Sequence, residues 1–419
     1  MKRLLLLLAA VLLLLTGCSN PEKTYADAQA LMSEGKYAEA AKKFNALETY
    51  EDAFLWADYC EGSALCESGD YDGGMAELEE LVPYLPVEAQ IAYYTVREKE
   101  SKISGDDWKQ MQAVAAEYTA LNGHADSAAR ADALNERATA ILDSGYDAAA
   151  ALLAAGDLPG AYRGFVALEG HRDSAEQIST ILAADPDTPF RAAQVGEYVT
   201  FGRYWHTNKD NPMEPIEWRV IAREDDRLLL ISRYIIASQQ FNRKLDHLKW
   251  EKSSLRTWLN YTFMNEAFTA EQREKILLTD LPPAGNPETE ATPSQPSQDK
   301  VFLLSIDEYQ RYFKDAGLDG SAKATVYARL GGLKAEGVTG YYSWWLRSPG
   351  MFSSNAAYVQ PSGYIKYNGK GLNYELGVRP AMWISLPESS SLIILSQNGQ
   401  ENPIIPIAKN GKGVYNDRR

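Results

Sequence analysis

The sequence predicts a multidomain chain, an N-terminal α-solenoid followed by an irregular α+β domain, on three observations. A Gly-x-Tyr motif recurs 34 residues apart, at Gly35 and Gly69, inside an alanine-rich first half. Pro186 and Pro189 stop that half, because each proline biases its predecessor out of the α region. Beyond them alanine thins out, and seven of the nine tryptophans follow. A length of 419 residues fits two or three domains with sizeable cores.

The chain opens on Met1-Lys2-Arg3, an unbroken apolar run from Leu4 to Leu15, and Thr16-Gly17-Cys18. A basic start, a short apolar core and small residues before a cut site describe an export signal. As a helix the run spans roughly 18 Å, too short for a hydrocarbon core of roughly 30 Å. The ending Leu15-Thr16-Gly17-Cys18 resembles the bacterial lipobox, which implies cleavage after residue 17 and diacylation of Cys18. Two acyl chains anchor stably where one binds only marginally, so the expected partner is the membrane and the expected place its extracytoplasmic face. Residues 18–24 then read as a tether. Loss of residues 1–17 removes Lys2 and Arg3 and no acid, which leaves 40 basic and 57 acidic residues and a charge of −17. That balance argues against nucleic acid as a partner and against electrostatic docking on anionic lipid.

Residues 25–184 read as paired helices. The stretch from Gly35 through Tyr37, Ala40 and Phe44 to Leu47 matches that from Gly156 through Leu158, Ala161 and Phe165 to Leu168. Gly69-Asp70-Tyr71 opens a third copy and Gly105 a degenerate fourth. The glycine permits the tight turn, and Ala40, Phe44 and Leu47 fall on one helical face, with alanine admitting a close partner. A second signature places Asp52, Asp126 and Asp173 where an N-cap or Asx turn would start the next helix. The 34-residue period with Gly-x-Tyr-x-x-Ala-x-x-x-Phe resembles the tetratricopeptide repeat, which implies a stack that binds peptides, assembles complexes or acts as a spacer. Cys60 and Cys66 on one helix would lie roughly 9 Å apart along its axis, so buried free thiols are expected rather than a disulfide. The four histidines are scattered and no Cys-x-x-Cys occurs, so neither metal nor cofactor is expected.

Residues 185–195 read as a linker and 196–387 as the second domain. Tyr198–Phe201, Ile216–Ile221 and Leu228–Ile231 have strand patterns, with a turn at Glu224–Arg227. Ser254 through Phe268 has helical spacing behind a serine cap, and Ala270–Ile276 continues it. Residues 282–298 are proline, serine, threonine and glutamate with little that is apolar, and read as a disordered insertion. Lys300–Leu304 reads as a core strand, Ser305–Glu308 as a capping box, and Ala356–Tyr367 as a hairpin. Val378–Leu386 would close the domain, with a tail over 388–419.

Four motifs occur in order: Phe201-Gly202-Arg203-Tyr204 with Ile216–Ile221, Ser253–Asn260, Trp344–Gly350, and Gly377–Ala381. Together they resemble a bacterial surface domain of unknown function found behind helical repeats, similar in turn to the formylglycine-generating-enzyme, or C-type-lectin-like, fold. That resemblance implies an irregular α+β architecture over about 196–387. The oxidases of that fold rely on reactive cysteines, whereas no cysteine follows Cys66 here. Neither a Gly-x-Ser-x-Gly elbow nor metal-spaced histidines replace them, and His206 and His247 lack a nucleophile motif. Asp210, Asn211 and Glu214 lack the spacing of a calcium loop. The expectation is therefore a protein that is not an enzyme.

The candidate ligand-binding residues are Trp344, Trp345, Arg347, Tyr358 and Arg379, and two readings stand for them. In one, the tryptophans alternate across a strand, one inward and one outward, while the arginines pin irregular loops. In the other, Trp345 or Tyr358 forms an exposed shelf that stacks on a ligand. The expected function is non-catalytic binding of a protein or glycan at the cell envelope. The alternatives are an adaptor acting through the repeats and an enzyme of unrecognised chemistry.

Overall fold

A computed structural model describes residues 20–244, 248–335 and 340–386. Cys18, His247 and the tail 388–419 lie outside the described residues. Two compact units emerge, Met1–Asp147 and Ala148–Arg419, each taken by itself below.

The first unit is helical: α1 Pro21–Ser33, α2 Tyr37–Asn45, α3 Ala53–Glu67, α4 Tyr71–Glu80, α5 Glu88–Ser101, α6 Trp108–Ala120 and the start of α7 Ser127–Ala154. Gly35, Gly69 and Gly105 stand between the members of each pair at φ of 73°, 98° and 57°, values that favour glycine. Ala28, Ala40 and Phe44 are fully buried, with the Tyr25 ring 5.4 Å from Phe44. In the second pair the close approach falls to glycine: a Cβ on Gly74 would meet the Gly62 carbonyl at 2.5 Å. Cys60 and Cys66 are buried and unpaired, and burial pushes their thiols up to about 12 and about 11.

The second signature is a conformation rather than a cap. Glu48 and Glu51 are both left-handed, as are Asn122 and Ala125, and in the second unit Glu169 and Arg172. The residue that follows the aspartate, Ala53, Ser127 or Ser174, is fully buried. Asp52 and Asp173 cap nothing through their side chains, against expectation. Asp52 instead accepts from Tyr25 Oη at 2.5 Å and Trp56 Nε1 at 3.0 Å. Asp126 likewise accepts from Tyr93 Oη at 2.5 Å and Arg130 Nε at 2.9 Å. The aspartate ties one helix pair to the next through a tyrosine, 27 residues away for Asp52 and 33 for Asp126, which no local pattern shows.

In the second unit, α8 Leu158–Ala167, α9 Ser174–Ala184 and α10 Thr188–Ala192 precede the strands. The expected linker 185–195 is thus partly helical and folded down. Arg191 pairs with Asp185, Lys275 pairs with Asp187, and Arg223 Nη1 donates to the Ala193 carbonyl at 2.8 Å.

The strands are β1 Tyr198–Tyr204, β2 Glu214–Arg223, β3 Arg227–Ser232, β4 Ala237–Gln240, β5 Thr279–Leu281, β6 Ser297–Asp299, β7 Trp344–Pro349, β8 Asn355–Val359, β9 Ile365–Gly371, β10 Glu375–Val378 and β11 Ala381–Ser385. They form an antiparallel sheet in the order β1-β2-β3-β11 and a mixed sheet in the order β4-β10-β7-β8-β9, with β7 and β10 parallel. The chain leaves the first sheet between β3 and β4 and returns between β10 and β11. The single closing strand expected over Val378–Leu386 is therefore two strands, broken at Arg379-Pro380, where proline supplies no ladder donor. Lys300–Leu304, expected as a core strand, bends at Lys300 and Val301 and is fully buried from Val301 to Leu304; it is joined to β11 by a bridge from Phe302 to Ala381 and to β7 by Arg347 N donating to the Leu304 carbonyl at 2.9 Å. The long helix expected from Ser254 contains a π-turn at Trp258–Phe263 and stops at Ala267; a Thr269 capping box starts the next helix, Ala270–Lys275.

Residues 282–298, expected to be disordered, are folded between β5 and β6. Ala284 N donates to Ser294 Oγ at 2.9 Å and Ser294 N to the Ala284 carbonyl at 3.0 Å. Buried Asn286 donates through Nδ2 to the Pro349 and Tyr367 carbonyls, each at 2.8 Å. Composition misled here because side-chain amides and hydroxyls, not apolar burial, hold the segment.

Candidate functional site: a buried arginine beside a cavity

All six residues of β7 are buried. Trp344 and Trp345 do face opposite sides of the strand, but neither reaches solvent. Trp344 packs on Tyr309 at 5.6 Å and under the Arg379 guanidinium at 5.2 Å, and its Nε1 donates to the Gly320 carbonyl at 3.2 Å. Trp345 packs on Phe241 at 5.6 Å, and its Nε1 donates to the Gln239 carbonyl at 2.9 Å. β7 is central in its sheet, with Tyr309 of the helix Ile306–Tyr309 on one side and Phe241 on the other. The expected outward-facing Trp345 shelf is thereby corrected. Tyr358 on β8 is half-buried, 6.5 Å from the Trp345 ring, with the Lys370 ammonium 5.9 Å from its own.

Arg379 sits where both chain segments change sheets. Its Nε donates to the Ser232 carbonyl at 2.8 Å and its Nη1 to the Gly320 carbonyl at 3.4 Å. Burial draws its guanidinium down to about 10, which leaves it charged at neutral pH. Arg379 and Trp344 share one cluster and Trp345 and Tyr358 another, so the candidate residues do not converge on one site.

Arg347 differs. It is 1% exposed, and Nη2 pairs with Glu308 Oε1 at 2.6 Å while Nη1 donates to the Pro282 carbonyl at 3.4 Å. Its Nε is buried and has no partner among the described residues. Arg347 lines a cavity of about 420 Å³ whose other buried walls include Phe241, Trp250, Pro349, Ala356 and Leu372. Lys249, Glu290, Thr292, Met351, Ser353 and Asn355 line it nearer solvent, with Met351 46% exposed. An apolar floor with one buried polar group and a polar rim is the usual anatomy of a small-ligand pocket. Sequence reasoning found Arg347 but missed its neighbours. Phe241 and Trp250 belong to no motif, and the Glu290–Thr292 wall belongs to the segment read as disordered.

The motif Ser253–Asn260 helps to hold the Trp250 wall. Ser253 Oγ caps the helix at Arg256 N, and Arg256 Nε pairs at 2.6 Å with Asp299, which is 1% exposed. The same carboxylate accepts from Trp250 Nε1 at 2.9 Å and fixes that ring. Asn260 accepts from Lys300 N and Val301 N and donates to the Val301 carbonyl, so its amide is committed to the fold. His206 Nδ1 lies 3.5 Å from Glu214, and Asn211 donates to Thr207. Among the described residues no group of three or more His, Cys, Asp and Glu could hold a metal ion, and no helix is long and apolar enough to cross a membrane.

Residues 225–386 match a family described as a domain of unknown function, DUF6273. The matched segment runs from the β2–β3 turn past β11 and contains Arg347, Arg379 and every wall of the cavity. No curated protein matches the chain.

Proposed function

We propose that this chain is a lipid-anchored envelope protein whose second domain binds a protein or glycan ligand without transforming it. The observation that carries the reading is the preformed cavity of about 420 Å³ beside Arg347. It combines apolar and aromatic walls with a polar rim. In this account Cys18 carries the acyl chains, and the helical region is a tetratricopeptide-like stack that presents the head away from the membrane. The head itself is of the formylglycine-generating-enzyme, C-type-lectin-like kind, and its Arg-Pro motif marks the exchange between sheets.

The test uses the full chain and a Ser353→Trp variant, which places an indole at the exposed rim of the cavity. Both are applied to a glycan array and to a panel of immobilised envelope-type peptides. Saturable binding by the parent that the variant loses supports the reading. Binding that survives Ser353→Trp at undiminished strength would move recognition off this cavity.

A further inference from the structure

We propose that residues 285–293 form a hinged strap that opens about the neck where Ala284 meets Ser294 and so controls access to the cavity beside Arg347. The first support is a contrast between the neck and the segment beyond it. Below the neck, β5 and β6 pair Thr279, Asp280 and Leu281 with Asp299, Gln298 and Ser297, and both Leu281 and Asp299 are buried. At the neck, Ala284 and Ser294 are buried and joined by two hydrogen bonds. Between Asn286 and Ser294 no residue is buried, and the half-buried Ala291 is the one apolar side chain there besides two prolines. Apolar burial is what makes a segment costly to lift, and this one has almost none.

The second support is how the segment is held. Asn286 Nδ2 donates to the Pro349 and Tyr367 carbonyls, each at 2.8 Å, and Lys249 Nζ donates to the Pro293 carbonyl at 3.1 Å. Such side-chain tethers each add modestly to stability, because water replaces them when the segment lifts. The segment also keeps its own shape. Glu288 N donates to Asn286 Oδ1 at 3.2 Å and Thr289 N to the Asn286 carbonyl at 3.3 Å, while Pro287 and Pro293 stiffen both ends.

The third support is what lies beneath. Glu290, Ala291 and Thr292 form one wall of the cavity, and the buried Phe241, Trp250 and Ala356 form others. Lys249 and Pro349 line the same cavity, so two of the tethers stand on its walls. Lifting the strap therefore removes a wall and exposes an apolar interior, while the β5–β6 ladder stays paired.

Hydrogen exchange of the full chain, read by mass spectrometry, tests the hinge. Peptides within 285–293 should exchange at least roughly tenfold faster than those of β5 and β7, at a rate that low urea leaves unchanged, as local opening requires. Lys249→Met keeps the apolar stem and loses the ammonium donor, and should speed exchange in 285–293 by roughly fivefold while β5 and β7 keep their rates. Asn286→Ala should do the same more strongly. Access is read separately through Ala356→Cys, which puts a thiol on a buried wall, by its rate of reaction with an aromatic disulfide reagent. The parent chain supplies the background from the buried Cys60 and Cys66. Adding Lys249→Met should raise that rate by the same factor as the exchange. Equal protection of 285–293 and of β5 would remove the hinge, and a labelling rate indifferent to Lys249→Met would remove the gate. No ligand enters either measurement, so failure here leaves the binding role proposed above standing.

Discussion

Arg347 and Arg379 are both buried, yet the fold uses them to different extents. Arg379 spans carbonyls of two segments, Ser232 and Gly320, and stacks on Trp344, so its planar fork serves the sheet exchange. Arg347 meets a carboxylate and one distant carbonyl and keeps a free Nε. Glu308→Gln should therefore strand a buried positive charge and lower stability by about 3 kcal/mol, seen as a reduced urea midpoint at unchanged slope. Gly320 is a second sensitive point, because a Cβ there would stand 1.8 Å from Tyr309 Oη. Gly320→Ala should cost about 1–3 kcal/mol by overpacking, and Tyr309→Phe in the same chain should recover part of it. At this scale the sequence showed which residues matter but not their surroundings. A tryptophan pair at consecutive positions must face opposite sides of a strand, and whether either side is wet depends on distant segments such as those carrying Tyr309 and Phe241.

Elements were legible where their signal is local. The glycine turns, the Ser305 capping box and the hairpin closed by Gly363 all appear, because each is decided within a few residues. Longer-range devices were not legible. The break at Arg379-Pro380 follows from two sheets exchanging strands, and the fold of 282–298 depends on Asn286 reaching Pro349 and Tyr367. The repeated aspartate was placed correctly and given the wrong partner. Burial alone would raise the Asp126 carboxyl, but bonds from Tyr93 and Arg130 outweigh it and hold it below the ordinary 3.8. A carboxyl depressed on folding adds stability that is complete above that ordinary value and vanishes as the pH falls through the lower folded one. Thermal melts of the full chain should thus show the helical transition weakening below about pH 4. In Asp126→Asn the transition should start lower and depend less on pH; an unchanged acid profile would remove the tie from the account. The turn glycine predicts more simply: Gly35→Ala, at a φ of 73°, should cost about 1 kcal/mol.

For the whole molecule, division of labour is the main proposal: an acylated N-terminus, a helical region and a head that recognises. Charge makes the first part testable, since an acidic chain has no electrostatic hold on anionic lipid. Cys18→Ala should move the protein from the detergent-rich to the aqueous phase on Triton X-114 partitioning, and full retention in the detergent phase would remove the anchor. The signal and the change of domain are expectations read from stretches of residue type, and they rest on composition. It concealed the cavity, whose walls come from five separate parts of the chain between Phe241 and Leu372. The measurement that bears most directly on the account compares saturable binding of the full chain and of its Ser353→Trp variant to the glycan array and the peptide panel. The account predicts that the parent binds a ligand saturably and that the variant loses it. Binding of equal strength by both would contradict it.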